Sequence, residues 1–184
     1  MEIYLIRHPK PAVAQGICYG HSDIPLAEGW RENLDGLLQQ LPVPQRVYTS
    51  PLLRCRELAG LLAKEPVVDA DLMELNFGLW EGQPWDQLPE DELRIWSEDV
   101  MNIAPPCGET GKDLALRSGR FMDKLKKAGE DAIIVTHTGW IRTLLSQLLQ
   151  SPIELAFALK IDFCGLSHIS FQGRQISVNF MNRI

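Results

Sequence analysis

Short apolar runs and helix-spaced segments alternate along the chain. "EIYLIR" (residues 2–7) is a strand that stops abruptly at Arg7-His8. Over residues 26–41 the leucines Leu34, Leu37, Leu38 and Leu41 fall at helical spacing. "RVYTS" (46–50) reads as a second strand, and the helix pattern after it opens with Pro51 in its first turn, where a missing N–H costs least. "PVVDADL" (66–72) predicts a third short strand. Residues 131–150 predict a buried strand running into a helix, and the tail gives two alternating segments around Gln172-Gly173, a hairpin signal. Residues 71–110 break the rhythm with Trp80, Trp85, Trp96, several prolines and the acidic run "PEDE". The alternation predicts an α/β fold: a mostly parallel, mixed sheet with helices on both faces, and 71–110 as a helical insertion beside the strand ends. Ligands of open α/β sheets bind at those ends, so the insertion is a candidate lid.

Composition narrows this further. At 184 residues, one domain over 1–184 is expected, and 45% hydrophobic with 23% charged residues is ordinary for a soluble globular protein. A net charge of −6 argues against a general nucleic-acid binder, though not against a small anion in a local basic pocket. Cys18, Cys55, Cys107 and Cys164 form no CxxC pair and read as reduced thiols of a cytoplasmic protein. The run Ile3–Ile6 is too short for a signal peptide, and no stretch approaches the ~20 apolar residues of a membrane span. No membrane partner is therefore expected, and the pattern leaves the oligomeric state open.

Candidate chemistry recurs at three strand ends. The first strand ends in Arg7-His8; the second ends in Thr49-Ser50, with Arg54 in the helix that follows; "AIIVTH" ends in His137, ahead of Thr138-Gly139. A lone histidine after a strand is usually structural. Three such ends side by side in one sheet would bring two arginines and two histidines into one crevice. Guanidinium forks there, with helix N-termini, would make a site for a dianionic phosphate.

The set "LIRHPKP", "YTSPLLRC", "LMELNFGLWEG" and "IVTHTGW" resembles the histidine phosphatase superfamily, which includes the cofactor-dependent phosphoglycerate mutases. "GICYGHSDIPL", with RHPxP and "FGLWEG", is most similar to the α-ribazole phosphatases of cobalamin biosynthesis. The resemblance implies a three-layer α/β/α sandwich and a metal- and cofactor-independent phosphomonoesterase acting on a small-molecule substrate. It makes His8 the nucleophile, Arg7, Arg54 and His137 the holders of the phosphoryl group, and Glu74 the proton donor, with Glu81 its rival. Tyr19, Gly20 and Ser22 would line the pocket entrance, and Phe77, Trp80 and Trp85 form either an aromatic wall or lid core. Glu109 is a candidate helix cap; His21 and His168 receive no role. A broad-specificity or sugar-phosphate phosphatase and a non-catalytic phosphate-binding module are the alternatives. A mutase lacks its RRSYD-like motif here, and a metalloenzyme lacks HxxxH or paired-cysteine spacing.

The superfamily commonly reads RHG[EQ]T, with an asparagine shortly after. This chain has Pro9 for the glycine, Pro11 for the threonine and Ala14 about where the asparagine would be. Proline offers no N–H to a phosphate, so the expected burden shifts to the arginines, with the prolines stiffening the loop that carries His8.

Overall fold

The computed structural model describes residues 1–32, 34–43, 46–173 and 175–184. Six strands form one sheet: β1 (Glu2–Arg7), β2 (Arg46–Thr49), β3 (Val67–Val68), β4 (Ala132–Thr136), β5 (Leu166–Gln172) and β6 (Gln175–Arg183), in the order β3-β2-β4-β1-β5-β6. β3, β2, β4 and β1 run parallel, and β5 and β6 add an antiparallel edge. The three chemistry-bearing strands are therefore neighbours, with β4 between β2 and β1. Their register brings the ends level, Arg7 opposite Thr136 and Thr49 opposite Val135.

β4 is buried along its whole length, as a central parallel strand must be. Its side chains alternate between two cores. Ile134 joins Ile3 and Leu5 beneath α4 (Gly111–Ala128) and α5 (Thr138–Leu148), through Phe121, Leu125, Trp140 and Leu144. Ile133 and Val135 join Ile6 and Val47 beneath α2 (Leu53–Leu62), through Cys55, Leu58 and Ala59. This is the α/β sandwich the pattern predicts. All four cysteines are free, and among the described residues no helix is long and apolar enough to cross a membrane.

Three expectations need correction. The helix expected over 26–41 shrinks to α1 (Asp35–Leu38), flanked by tight turns such as Trp30 N–H to Ala27 and Gln40 N–H to Leu37; position 33 lies outside the described residues. Gly29, at φ +73°, and Gly36 weaken a continuous helix there. Pro51 precedes α2 instead of opening it, because Leu52 is the N-cap. Glu109 does not cap α4: Thr110 does, in a reciprocal pair with Asp113. The 71–110 insertion is mostly turns and short 3₁₀ segments with one helix, α3 (Glu90–Glu98), over a small core of its own around Cys18, Trp80 and Leu88.

Candidate active site

His8 leaves the end of β1 into the core of the crevice and is almost wholly buried. Its Nδ1 lies 2.7 Å from the carbonyl oxygen of Pro9. A carbonyl can only accept, so Nδ1 carries the proton and Nε2 of the neutral ring is a bare lone pair. Burial, Arg54 and Arg7 push the imidazole well below its ordinary pKa, against the opposing pull of the Pro9 carbonyl. His137, at the end of β4, is equally buried, and its ring centroid lies 5.1 Å from that of His8. Burial, His8 and Arg54 also drive its pKa well down, while its Nε2 meets the Ser50 hydroxyl at 2.9 Å.

Arg54, in the first turn of α2, is 0% exposed, so its charge is held wholly out of water. It donates to the carbonyls of Ser22 (2.8 Å) and Gly20 (2.6 Å). Arg7 donates to the Ile161 carbonyl at 2.6 Å and lies 3.8 Å above the Phe163 ring. Among the described residues neither cation forms an ion pair, and both Nε–H groups are buried without a partner. Arg54 is held wholly out of water and Arg7 partly so, and leaving such cations without an anion costs free energy that a bound dianion would recover. Within a protein of net charge −6, this crevice is locally cationic.

Glu74 enters from the turn after β3. Its carboxylate accepts N–H bonds from Gly139 (3.0 Å) and Trp140 (3.1 Å) in the first turn of α5, and from Leu75 (3.1 Å). A Cβ on Gly139 would stand 2.4 Å from Oε1, so only glycine admits the carboxylate there. Asp23 likewise accepts the Leu53 N–H at the start of α2, at 2.6 Å. The expectation that helix ends bind the phosphate is thus revised. At both ends protein carboxylates hold these N–H groups, so the cationic side chains are the groups left to meet an anion.

Tyr19 lies under Arg54, its ring centroid 5.2 Å from the guanidinium. Gly20 and Ser22, expected at the entrance, sit behind Arg54 and hold it through their carbonyls; neither lines the adjoining cavities. Glu81 ties that loop to the insertion, accepting from the backbone of His21 (2.8 Å), Ser22 (2.6 Å) and Phe77 (3.1 Å) and from the Ser22 hydroxyl. Burial would raise the Glu81 carboxyl, but these bonds outweigh it and hold the pKa below its usual value. Glu81 is therefore a buckle, spent on structure. His168 stacks on Tyr4 and pairs with Glu2 at 2.6 Å on the sheet.

Two cavities flank the crevice. One, of about 410 Å³, runs from Glu74 and Thr138 beneath the insertion and is walled by Phe77, Trp85 and Trp96. The other, of about 430 Å³, lies along the loop after β1, against Lys10, Tyr19 and Phe163. Trp80 belongs to the insertion's core and lines neither, whereas Phe77 and Trp85 do form wall. Among the described residues no group of three or more His, Cys, Asp or Glu side chains is placed to hold a metal ion.

Sequence reasoning overlooked the groups that hold Glu74. His21, assigned no role, meets the Glu74 carbonyl through Nε2 at 2.8 Å, and Arg117 donates to the same oxygen at 2.7 Å. The signal for Arg117 was its spacing: it follows Glu109 by eight residues on a helix whose side chains lean back toward the N-terminus.

The family described as the histidine phosphatase superfamily, branch 1, matches residues 3–184. An adenosylcobalamin/alpha-ribazole phosphatase of Salmonella typhimurium is 29% identical over 175 residues, spanning 88% of this chain and 86% of the relative. A probable phosphoglycerate mutase of Yersinia pestis is 31% identical over 193 residues, spanning 94% and 86%. The chain spans about half the length of other relatives: a bifunctional protein of Mycobacterium tuberculosis is 31% identical over 183 residues, 92% of this chain but 50% of its own. Among solved structures, the alpha-ribazole phosphatase of Shigella flexneri superposes with a TM-score of 0.87 at 25% identity, covering 100% of this chain and 96% of that one.

Proposed function

Because the chain belongs to the histidine phosphatase superfamily, we propose that it hydrolyses a phosphomonoester through a phosphohistidine at His8, without a metal, and that its substrate is α-ribazole 5′-phosphate. The observation that carries the reading is the bare Nε2 of His8, kept unprotonated by the Nδ1–H bond to Pro9, beside the buried Arg54 and half-buried Arg7 guanidiniums, which have no carboxylate partner among the described residues. In the first step the Nε2 lone pair forms the N–P bond, the P–O bond to the alcohol breaks, and Glu74 gives its proton to the departing oxygen. In the second, water attacks phosphorus, Glu74 takes its proton, and the N–P electrons return to Nε2 as orthophosphate leaves. Arg7 and Arg54 neutralise the phosphoryl oxygens throughout, and a neutral His137 donates to one of them.

The relatives from Salmonella and Shigella support the choice of substrate. So does the cavity beside Glu74, whose aromatic wall suits a flat heterocycle on the leaving side. A broad-specificity phosphatase is the second reading, favoured by the same largely apolar lining, which offers few groups for recognising a sugar.

The test is phosphate release from α-ribazole 5′-phosphate and a panel of phosphomonoesters in excess EDTA, for the wild type and His8→Ala. Turnover is expected to survive EDTA, to vanish in His8→Ala, and to favour α-ribazole 5′-phosphate by more than about tenfold, one decade or ~1.4 kcal/mol. Even turnover across the panel moves the substrate to the second reading. A wild type that binds phosphate but turns nothing over overturns both and leaves a binding module.

A further inference from the structure

Beneath the segment that carries Glu74 lies an ion pair that the proposed reaction does not use. The side chains of Arg117 and Glu109 are only 9% and 15% exposed, and Arg117 Nε and Nη2 donate to the two carboxylate oxygens at 2.7 and 2.9 Å. The guanidinium also donates Nη1 to the carbonyls of Asp71 (3.2 Å) and Met73, and Nη2 to that of Glu74 (2.7 Å). Glu109 reaches the other flank: its carboxylate accepts the Asn76 N–H at 3.2 Å, and its own N–H donates to the Asn76 carbonyl at 2.9 Å. The pair thus grips the chain on both sides of Glu74.

Stability alone explains this poorly, since well-packed apolar residues commonly replace a buried ion pair at no loss. What apolar residues cannot do is satisfy three carbonyls of one turn from one rigid plane. The turn at residues 71–76 is neither helix nor strand over most of its length, so its carbonyls need outside donors. Thr136 Oγ1 and Trp140 Nε1 supply two more, to Leu72 and Asp71, each at 2.7 Å, and His21 shares the Glu74 carbonyl. Among the described residues only Arg117 reaches Asp71, Met73 and Glu74 together.

We propose that the Arg117–Glu109 pair is the positioning device for Glu74, holding the backbone of residues 71–76 so that the carboxylate stays against the α5 N-terminus and meets the leaving oxygen. The proposal rests on the reading of Glu74 as proton donor and base. Arg117 touches neither phosphate nor alcohol; it acts through Glu74.

A double-mutant cycle on an alkyl phosphomonoester tests it, with Glu74→Gln, Arg117→Lys and their combination, and kcat followed against pH. Lysine keeps the charge opposite Glu109 but presents one compact ammonium in place of a planar fork. Arg117→Lys is expected to lower kcat by ~10- to 100-fold, the scale of an ångström's misplacement. KM should stay within about threefold, because the lost interaction belongs to the transition state. In the Glu74→Gln background the same change should cost less than about twofold, the signature of one shared pathway. The limb of the pH profile that Glu74→Gln removes should move in Arg117→Lys. The loss should also be smaller on p-nitrophenyl phosphate, whose leaving group departs without a proton. A folded Arg117→Lys with wild-type kcat, or with equal losses in both backgrounds, overturns the proposal. If Arg117→Lys does not fold, Glu109→Met/Arg117→Met removes both charges together and carries the same cycle. Wild-type kcat in Glu74→Gln is the separate result that overturns the reading of Glu74 itself, and the proposal with it.

Discussion

Gly139→Ala adds one methyl group at the point where Glu74 meets α5. Built on the existing backbone, that carbon stands 2.4 Å from Oε1 and 3.2 Å from Cδ of Glu74. Ordinary contact begins at about 3.4 Å, so the carboxylate must retreat by about 1 Å. Its bonds from the Gly139 and Trp140 N–H groups, now 3.0 and 3.1 Å, would then stretch to about 4 Å and be lost. Bonds to a charged group contribute ~1.5–3 kcal/mol each, while alanine in a helix gains up to ~1 kcal/mol over glycine. The balance is a loss of about 2–5 kcal/mol, toward the lower end because Glu74 is only partly buried and solvent screens it. Activity should fall alongside stability, by ~100-fold in kcat on an alkyl phosphomonoester or about 2.7 kcal/mol, since the proposed proton donor displaced by an ångström is out of line. Urea denaturation and steady-state kinetics on the same preparation give both numbers. A Gly139→Ala protein with kcat within about threefold of wild type, and a midpoint at or above it, would refute the placement of Glu74 against the helix end.

Gly20→Ala should act on the fold before the chemistry. Its Cβ would stand 2.0 Å from the Leu75 carbonyl oxygen, backbone against backbone, with no flexible tip to yield. A loss at or above the top of the ~1–3 kcal/mol of ordinary overpacking is expected in urea denaturation, and a wild-type midpoint would contradict it. The pH dependence of stability follows from His8 and His137, whose folded pKa values are depressed by burial and neighbouring positive charge. The unfolded chain then binds more protons below pH ~6.5, so stability is full above that value and falls as pH drops, by up to ~1.4 kcal/mol per unit for each ring. Denaturation midpoints between pH 7.5 and 5.5 should show this decline, about half as steep in His8→Asn; a flat profile contradicts the buried neutral pair.

How much of this was legible in the chain can be judged element by element. The strand ending at Thr136 was readable because a central buried parallel strand leaves a continuous apolar run, and those ending at Arg7 and Thr49 because their short stretches stop where polar chemistry begins. The long helix expected near Leu34 was not there, because leucine spacing records burial and not hydrogen bonding, and two glycines and tight turns meet the same burial. Pro9 reads in the sequence as a lost N–H; only the fold shows that its carbonyl orients the His8 ring.

By itself the sequence determined which strands would carry the candidate phosphate-binding groups, and that two histidines and two arginines would stand at or just beyond their ends, since period and chain order are local properties. Only the tertiary structure decided that these ends lie side by side at one level. It alone decided that Asp23 and Glu74 occupy the helix termini, that Gly20 and Ser22 stand behind Arg54, and that Arg117 and Glu109 clamp the turn around Glu74. The reason is physical. A buried polar group must find a partner wherever the folded chain brings one, and the partners here lie up to 154 residues away, as Ile161 does from Arg7, beyond any sequence window.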